Sequence, residues 1–189
     1  MIFALFFAFI VTQRVVELGI ARRNEKWIRS MGAKEYGKEH YKYMVSMHVA
    51  FLLSFLTEVI LFDRTLSPFW PAILFLFILT QSLRVWSIQS LGKFWNTKVL
   101  ILPDAFIVKT GPYKFLRHPN YTIVVIEIML IPLMFHAFYT ALVFTILNAW
   151  MLSVRIPLEE KALAETTTNY ATYMEDRNRF SPTFQKESE

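Results

Sequence analysis

The sequence contains no cysteine, which excludes disulfides and thiolate-ligated metal sites. Its four histidines show no ligand spacing, so no metal site is expected. No internal repeat, low-complexity tract or separate soluble domain interrupts the 189 residues, and the chain is expected to form one membrane domain over 1–189. The first apolar segment lacks both a basic leader and a clear small-residue cleavage site, so a retained helix is expected rather than a signal peptide. A concentrated basic patch is missing too. The net charge is +5 and the pI is about 9.5, but the positive residues are spread over segments that flank apolar runs. That distribution suits anionic lipid headgroups and argues against a nucleic-acid partner.

What the chain has in excess is apolar surface. Hydrophobic residues make up 54%, with 18 Phe and a mean hydropathy of +0.36, well beyond ordinary globular usage. A spanning helix needs roughly 20 mostly apolar residues, and Ile2–Ile20, Met44–Phe62, Pro68–Gln89 and the block Thr122–Val154 qualify. The last block is too long for one pass. Pro132, followed by His136, marks a break, because proline lacks the backbone donor and clashes with the preceding turn. The expected fold class is therefore all-α, a polytopic integral membrane protein of about five spans, the fourth unusually short.

Short loops rich in Lys and Arg stay cytoplasmic. Arg22, Arg23, Lys26, Arg29, Lys34, Lys38 and Lys42 crowd the loop after the first span, whereas the next loop has Arg64 beside Asp63. This puts the N-terminus outside and the segment with Lys93, Lys98, Lys109, Lys114 and Arg117 inside, along with the C-terminus. Five spans satisfy the rule at every loop; four would push the charged tail outside. Residues 1–90 thus supply three spans with a basic loop over 21–43, and 91–182 the half that carries the chemistry.

Two polar clusters bracket the last apolar block. GPYKFLRHPNY, Gly111 to Tyr121, combines turn chemistry with Tyr113, Arg117, His118, Asn120 and Tyr121, and Pro119 biases His118 away from helix. Aromatic faces, an imidazole and an amide suit a polar cofactor with a heterocycle and a carboxylate; the same residues would also serve an interfacial loop. RIPLEEKAL, Arg155 to Leu163, puts Arg155 and Glu159 four apart on one helical face, with Glu160 pointing elsewhere and Pro157 disturbing the first turn. Alone it reads as a solvated helix exit. If the apolar block crosses and returns, however, both clusters meet on one membrane face.

Ionisable residues inside spans need partners or a function. Arg14 and Glu17 can pair along one helix, Glu58 lies where it could reach the outer interface, and His48 reads as a simply hydrogen-bonded imidazole. Gln81 and Arg84 could meet Glu127, which then either touches substrate or serves as the structural partner of Arg84.

The pattern G-P-Y-x-x-x-R-H-P-x-Y, an apolar hairpin, R-x-x-x-E-E-x-x-L and a tail with Tyr170, Tyr173, Arg179 and Pro182 resembles the isoprenylcysteine carboxyl methyltransferase family over about Leu91 to Pro182. NEKWIRSMGAKEYGKEHYKYMVSMH resembles the bacterial branch, some of whose members are associated with type III polyketide synthases and methylate long-chain alkylpyrones. The resemblance implies an S-adenosyl-L-methionine-dependent methyltransferase, in a bacterial plasma membrane with its site facing the cytoplasm. It implies cofactor contacts from Val108, Tyr113, His118, Pro119, Asn120, Tyr121 and Glu159, and a role for Arg155 in holding an anionic group of a lipophilic acceptor. Asn120 stands where the eukaryotic enzymes usually have Ser, a departure that bears on prenylcysteine specificity. An ionised carboxylate or hydroxypyrone acceptor needs no strong base. A phospholipid amine would need one, such as Glu127 or Glu160. Prenylcysteine methylation, an NADPH-dependent membrane reductase with a related loop, and a membrane scaffold or transporter subunit remain as alternatives.

Overall fold

The computed structural model describes residues 1–167, 170 and 178–182. Five α-helices carry the fold: α1 (Ile2–Ser30), α2 (Lys38–Leu61), α3 (Trp70–Leu91), α4 (Pro119–Leu133) and α5 (Phe138–Thr166). Four of them, all but α4, are long and apolar enough to cross a membrane. The protein is a polytopic integral membrane protein of all-α class. At 1.5 Å per residue the 15 residues of α4 reach only about 22 Å, short of a hydrocarbon core of about 30 Å. The short fourth helix expected from the sequence is present. By the same rise the 29-residue α1 and α5 reach about 43 Å, so each extends beyond the hydrocarbon.

The helix surfaces are apolar outside as well as inside, the signature of helices that face lipid. Phe9, Leu53, Ile78 and Trp150 are all exposed on the outer surface. Inside, Phe3 packs edge-on to Phe55 and Phe135 at 5.4 and 5.2 Å between ring centres, and Phe51 meets Phe144 at 5.5 Å. Such aromatic pairs contribute beyond their buried area, on the order of 1 kcal/mol each.

Proline acts differently at its two helical positions. Pro132 sits in the last turn of α4, and the chain then reverses through His136 at φ +55 before α5 begins at Phe138. Pro157 does not end or disturb a helix terminus as the sequence suggested. It lies inside α5, which continues unbroken to Thr166. Pro157 is exposed, so the missing N–H leaves a carbonyl one turn earlier on an open face where it costs little.

Glu58 also departs from expectation. It is 5% exposed, and its carboxylate accepts the backbone N–H groups of Tyr139 and Thr140 at 3.2 and 2.7 Å and the Thr140 hydroxyl at 2.7 Å. The start of α5 has orphan donors and the positive end of its dipole, and a carboxylate from α2 satisfies both.

A small antiparallel ladder pairs β1 (Lys34–Tyr36) with β2 (Val99–Ile101), matching Lys34 to Ile101 and Tyr36 to Val99. It ties the segment after α1 to the segment after α3, and Val99 and Ile101 bury against Ala162 of α5. The ladder therefore covers the stretch of α5 that carries the second polar cluster.

Candidate functional site

The turn into the site begins at Gly111, where φ is +58. A Cβ there would stand 1.9 Å from Ser90 Oγ, so the chain approaches the end of α3 closely enough that only glycine fits. A 3-10 turn, Gly111–Lys114, follows and buries Pro112 and Tyr113. His118, at φ −128 and ψ 60, stands just before α4, and Pro119 takes the first helical position, where a missing N–H is no loss. The His118 carbonyl accepts the N–H groups of Tyr121 and Thr122 at 3.1 and 3.2 Å. The non-helical His118 expected from X-Pro sterics is what the chain adopts.

The reversal after α4 brings the second cluster to the first. Arg155 Nε donates to Tyr121 Oη at 2.8 Å, and Tyr121 Oη donates in turn to Glu159. Arg155 and Glu159, four apart on α5, thus meet one phenol from the same face. Glu160, which the spacing set aside as pointing elsewhere, is the partner of His118: its Oε1 lies 3.1 Å from His118 Nε2. It also accepts from Arg117 at 3.1 Å and from Arg179 at 3.0 Å. One residue is a 100° step on a helix, and that step aims Glu160 at the turn before α4 while Glu159 faces Tyr121. A helical projection of 155–160 against both flanks of the hairpin was the signal available for Glu160.

Asn120 bridges two aromatic residues. Its Nδ2 donates to Tyr113 Oη at 2.9 Å and its Oδ1 accepts from Trp95 Nε1 at 3.3 Å. The His118 and Tyr121 rings lie 5.4 Å apart. Six of the seven residues to which the resemblance assigns cofactor contacts, Tyr113, His118, Pro119, Asn120, Tyr121 and Glu159, lie on one connected set of bonds and chain neighbours. Val108 is half-buried in the irregular stretch before Gly111. Tyr170 is buried beside this region, and Arg117 N donates to the Asn178 carbonyl at 3.1 Å. Tyr173 lies outside the described residues. The Arg179 guanidinium is held above its ordinary value by its hydrogen bond to Glu160.

Arg155 is the electrostatic exception among the described arginines that are not exposed. Arg14, Arg29, Arg64, Arg84, Arg117 and Arg179 each have a carboxylate within ion-pair distance. Arg155 is 8% exposed and has none among the described residues. Its remaining donors reach the Met44 thioether at 2.7 Å and the Thr97 carbonyl at 2.5 Å. A thioether is a weak acceptor, and the acidic charge of Glu159 reaches Arg155 only across the Tyr121 hydroxyl, without direct contact.

Glu127 is placed otherwise. It is 2% exposed and accepts from Gln81 at 2.7 Å, from Arg84 Nε at 3.0 Å and also from Arg14. Glu17 takes the second contact of each arginine, Arg14 at 2.7 Å and Arg84 at 3.3 Å. Two cations and two carboxylates from α1, α3 and α4 thereby form a neutral cluster. Arg14 binds more than the helical neighbour expected for it, and Glu127 is the counter-ion of both arginines. His48 Nδ1–H donates to the Met44 carbonyl at 2.8 Å, the hydrogen-bonded role the sequence suggested.

The model of the isoprenylcysteine carboxyl methyltransferase family matches residues 72–165, from within α3 to near the end of α5. YpbQ of Bacillus subtilis is 45% identical over 163 residues, covering 86% of this chain and 97% of that protein. A protein of Haemophilus influenzae described only as uncharacterized is 32% identical over 159 residues, covering 84% of this chain and 92% of its own.

Proposed function

The chain belongs to the isoprenylcysteine carboxyl methyltransferase family and is a membrane methyltransferase; on that premise we propose that it uses S-adenosyl-L-methionine to methylate an anionic oxygen of a lipophilic acceptor, an alkylpyrone-like or carboxylate-bearing amphiphile. The observation that carries the acceptor class is Arg155, a buried guanidinium with no carboxylate partner among the described residues. An anionic acceptor completes that charge. The guanidinium fork holds two oxygens in one plane, which fixes the nucleophile's direction as well as its charge.

The donor set fits the cofactor. Glu159, whose described partner is Tyr121, offers a carboxylate for an ammonium group, the Tyr121 and His118 rings offer faces for a purine, and the Asn120 amide offers a polar edge. Held by Glu159, Tyr121, His118 and Asn120, S-adenosyl-L-methionine would supply an electrophilic methyl group for an oxygen nucleophile. The protein's part is alignment and exclusion of water. Holding two reactants in line is equivalent to effective molarities of roughly 10⁵ M or more. Tyr121 links the two halves, because its hydroxyl touches both Glu159 and Arg155.

An amine acceptor would need a free base to take its proton. Glu127 is committed to two arginines and Glu160 to His118, Arg117 and Arg179, which argues against amine methylation. The basic flanks support a site facing the cytoplasm of a bacterial plasma membrane, and an alkylpyrone acceptor would link the protein to a polyketide synthase pathway.

Calorimetric titration with S-adenosylhomocysteine tests the cofactor. The parent binds, and His118→Ala and Glu159→Gln bind at least tenfold more weakly; equal affinities would remove these residues from the site. Transfer of labelled methyl to a long-chain alkyl hydroxypyrone tests the acceptor. Arg155→Ala is expected to abolish it and Glu127→Gln to retain it, while the reverse pattern would favour the amine.

A further inference from the structure

Another face of the bundle carries an open groove of about 790 Å³ between α1 and α3, within the size range of ligand sites. Phe6 and Phe9 of α1 lean on Phe77 of α3 at 5.5 and 6.3 Å between ring centres, and the α3 wall continues through Ile78, Ser82 and Trp86. At 1.5 Å per residue that wall, 74–89, is about 22 Å long, more than the roughly 15 Å of hydrocarbon in one leaflet. One acyl chain fits along it. None of the residues that Arg155 touches lines this groove, so it is separate from the acceptor reading.

The end of the groove nearer the cofactor turn is cationic. Phe9, Val16 and Arg23 are spaced by sevens, close to two helical turns, so Arg23 lies on the flank of α1 that Phe9 turns toward α3. Trp27, one turn further, continues that flank and meets the end of α3: its ring stands edge-on to Phe94 at 5.6 Å, and Lys93 Nζ lies 5.1 Å from its ring centre. Arg23 and Lys93 are both exposed, and neither has a carboxylate within ion-pair distance among the described residues. Their neighbours differ. Arg29 takes Glu25 and Glu35, and Lys98 takes Glu25. A tryptophan at the rim is the usual anchor where hydrocarbon gives way to headgroups.

We infer that the groove between α1 and α3 is a binding site for an anionic phospholipid, with one acyl chain lying along Phe9, Ile78 and Trp86 and the phosphate held by Arg23 and Lys93. A basic surface attracts anionic lipid diffusely. What makes this a site is that the apolar groove and the two uncommitted cations share one flank, so tail and phosphate are held by the same stretch of α1 and α3. The lipid also lies against the cofactor turn, because a Cβ on Gly111 would stand 3.0 Å from Trp86 Nε1.

The test uses the full-length protein in phosphatidylcholine vesicles, with phosphatidylglycerol carrying brominated acyl chains as the probe, and reads quenching of tryptophan fluorescence. Replacing the exposed Trp70 and Trp150 by Phe leaves Trp86 in the groove, Trp27 at its rim and Trp95 buried. Brominated phosphatidylglycerol should quench at a mole fraction at least tenfold below that needed by brominated phosphatidylcholine. Arg23→Gln and Lys93→Gln should each reduce that preference about fivefold, the effect of one cation near an anionic headgroup, and Lys93→Arg should keep it. Arg22→Gln, one 100° step round α1, should change it less than twofold. Ser82→Phe fills the groove and should weaken quenching by phosphatidylglycerol tenfold or more, whereas Leu79→Phe, on the exposed surface outside it, should not.

Equal quenching by the two lipids would overturn the site. So would a loss in Arg22→Gln as large as that in Arg23→Gln, which would leave only diffuse surface charge. Quenching unchanged in Ser82→Phe would overturn it as well, and if that variant also dissociates an oligomer on size-exclusion chromatography, the occupant of the groove is a second copy of the chain.

Discussion

Glu127→Gln removes one charge from the neutral cluster of Arg14, Arg84, Glu17 and Glu127 and keeps nearly the same shape. The parent carboxylate is 2% exposed and meets both arginines, with Gln81 as a third donor. In the variant Arg14 and Arg84 share Glu17 alone, at 2.7 and 3.3 Å, and one positive charge is left uncompensated among apolar helices. Breaking a buried ion pair in this way costs about 3–5 kcal/mol. At about 2–4 °C per kcal/mol for a chain of this size, the unfolding midpoint should fall on the order of 10 °C. Fluorescence of the five tryptophans during heating in detergent reads that midpoint. Arg14 is the more accessible of the two cations, its side chain 24% exposed against 8% for Arg84, so adding Arg14→Leu should restore neutrality and recover at least half of the loss. Below its transition the single variant should keep kcat within threefold. Two results refute the reasoning: a midpoint within 2 °C of the parent, or a double variant whose losses simply add. A normal midpoint with kcat lowered about 10²-fold or more would make Glu127 a general base after all.

Glu58→Ala strips the acceptor from Tyr139 N, Thr140 N and Thr140 Oγ1, and should lower stability by about 2 kcal/mol, the upper range for a helix cap; an unchanged thermal midpoint would refute the capping role. Gly111→Ala combines a positive φ, which costs a side chain about 1–2 kcal/mol, with a contact of 1.9 Å to Ser90 Oγ, so it should weaken both stability and S-adenosylhomocysteine binding, with part of each regained on adding Ser90→Gly. Absence of any recovery would locate the cost in the backbone alone. Because the chain has no cysteine, single introduced thiols report topology without background: Asp63→Cys should react with an impermeant maleimide added outside intact cells and Lys114→Cys only after permeabilisation, and the opposite result would invert the orientation.

The residues explain why some features were readable in advance and others were not. Apolar runs long enough to span, the break at Pro132 and the non-helical His118 follow from interactions within a few residues, hydropathy and proline sterics, so they could be read from order alone. The meeting of GPYKFLRHPNY with RIPLEEKAL followed from one further step, a hairpin whose two arms return to the same level. The choice between neighbours did not. Whether Glu159 or Glu160 takes His118 depends on the rotation of α5 against the start of α4, and a 100° step separates the two. Glu58 could be read as reaching the interface because nothing local reveals that α5 starts beside it, 81 residues later in the chain. The strands β1 and β2 are three residues each, too short for any alternation to register, and they exist because distant segments pair.

By itself the sequence determined a membrane-spanning helical chain, its reversal at the fourth helix and the composition of the two polar clusters, because each of these arises from the free energy of single segments in lipid or from sterics between adjacent residues. Only the tertiary structure decided which charges neutralise which. Ion pairing depends on distances of a few ångströms between helices far apart in the chain. Packing assigned carboxylates to Arg14, Arg84, Arg117 and Arg179 and left Arg155 without one among the described residues.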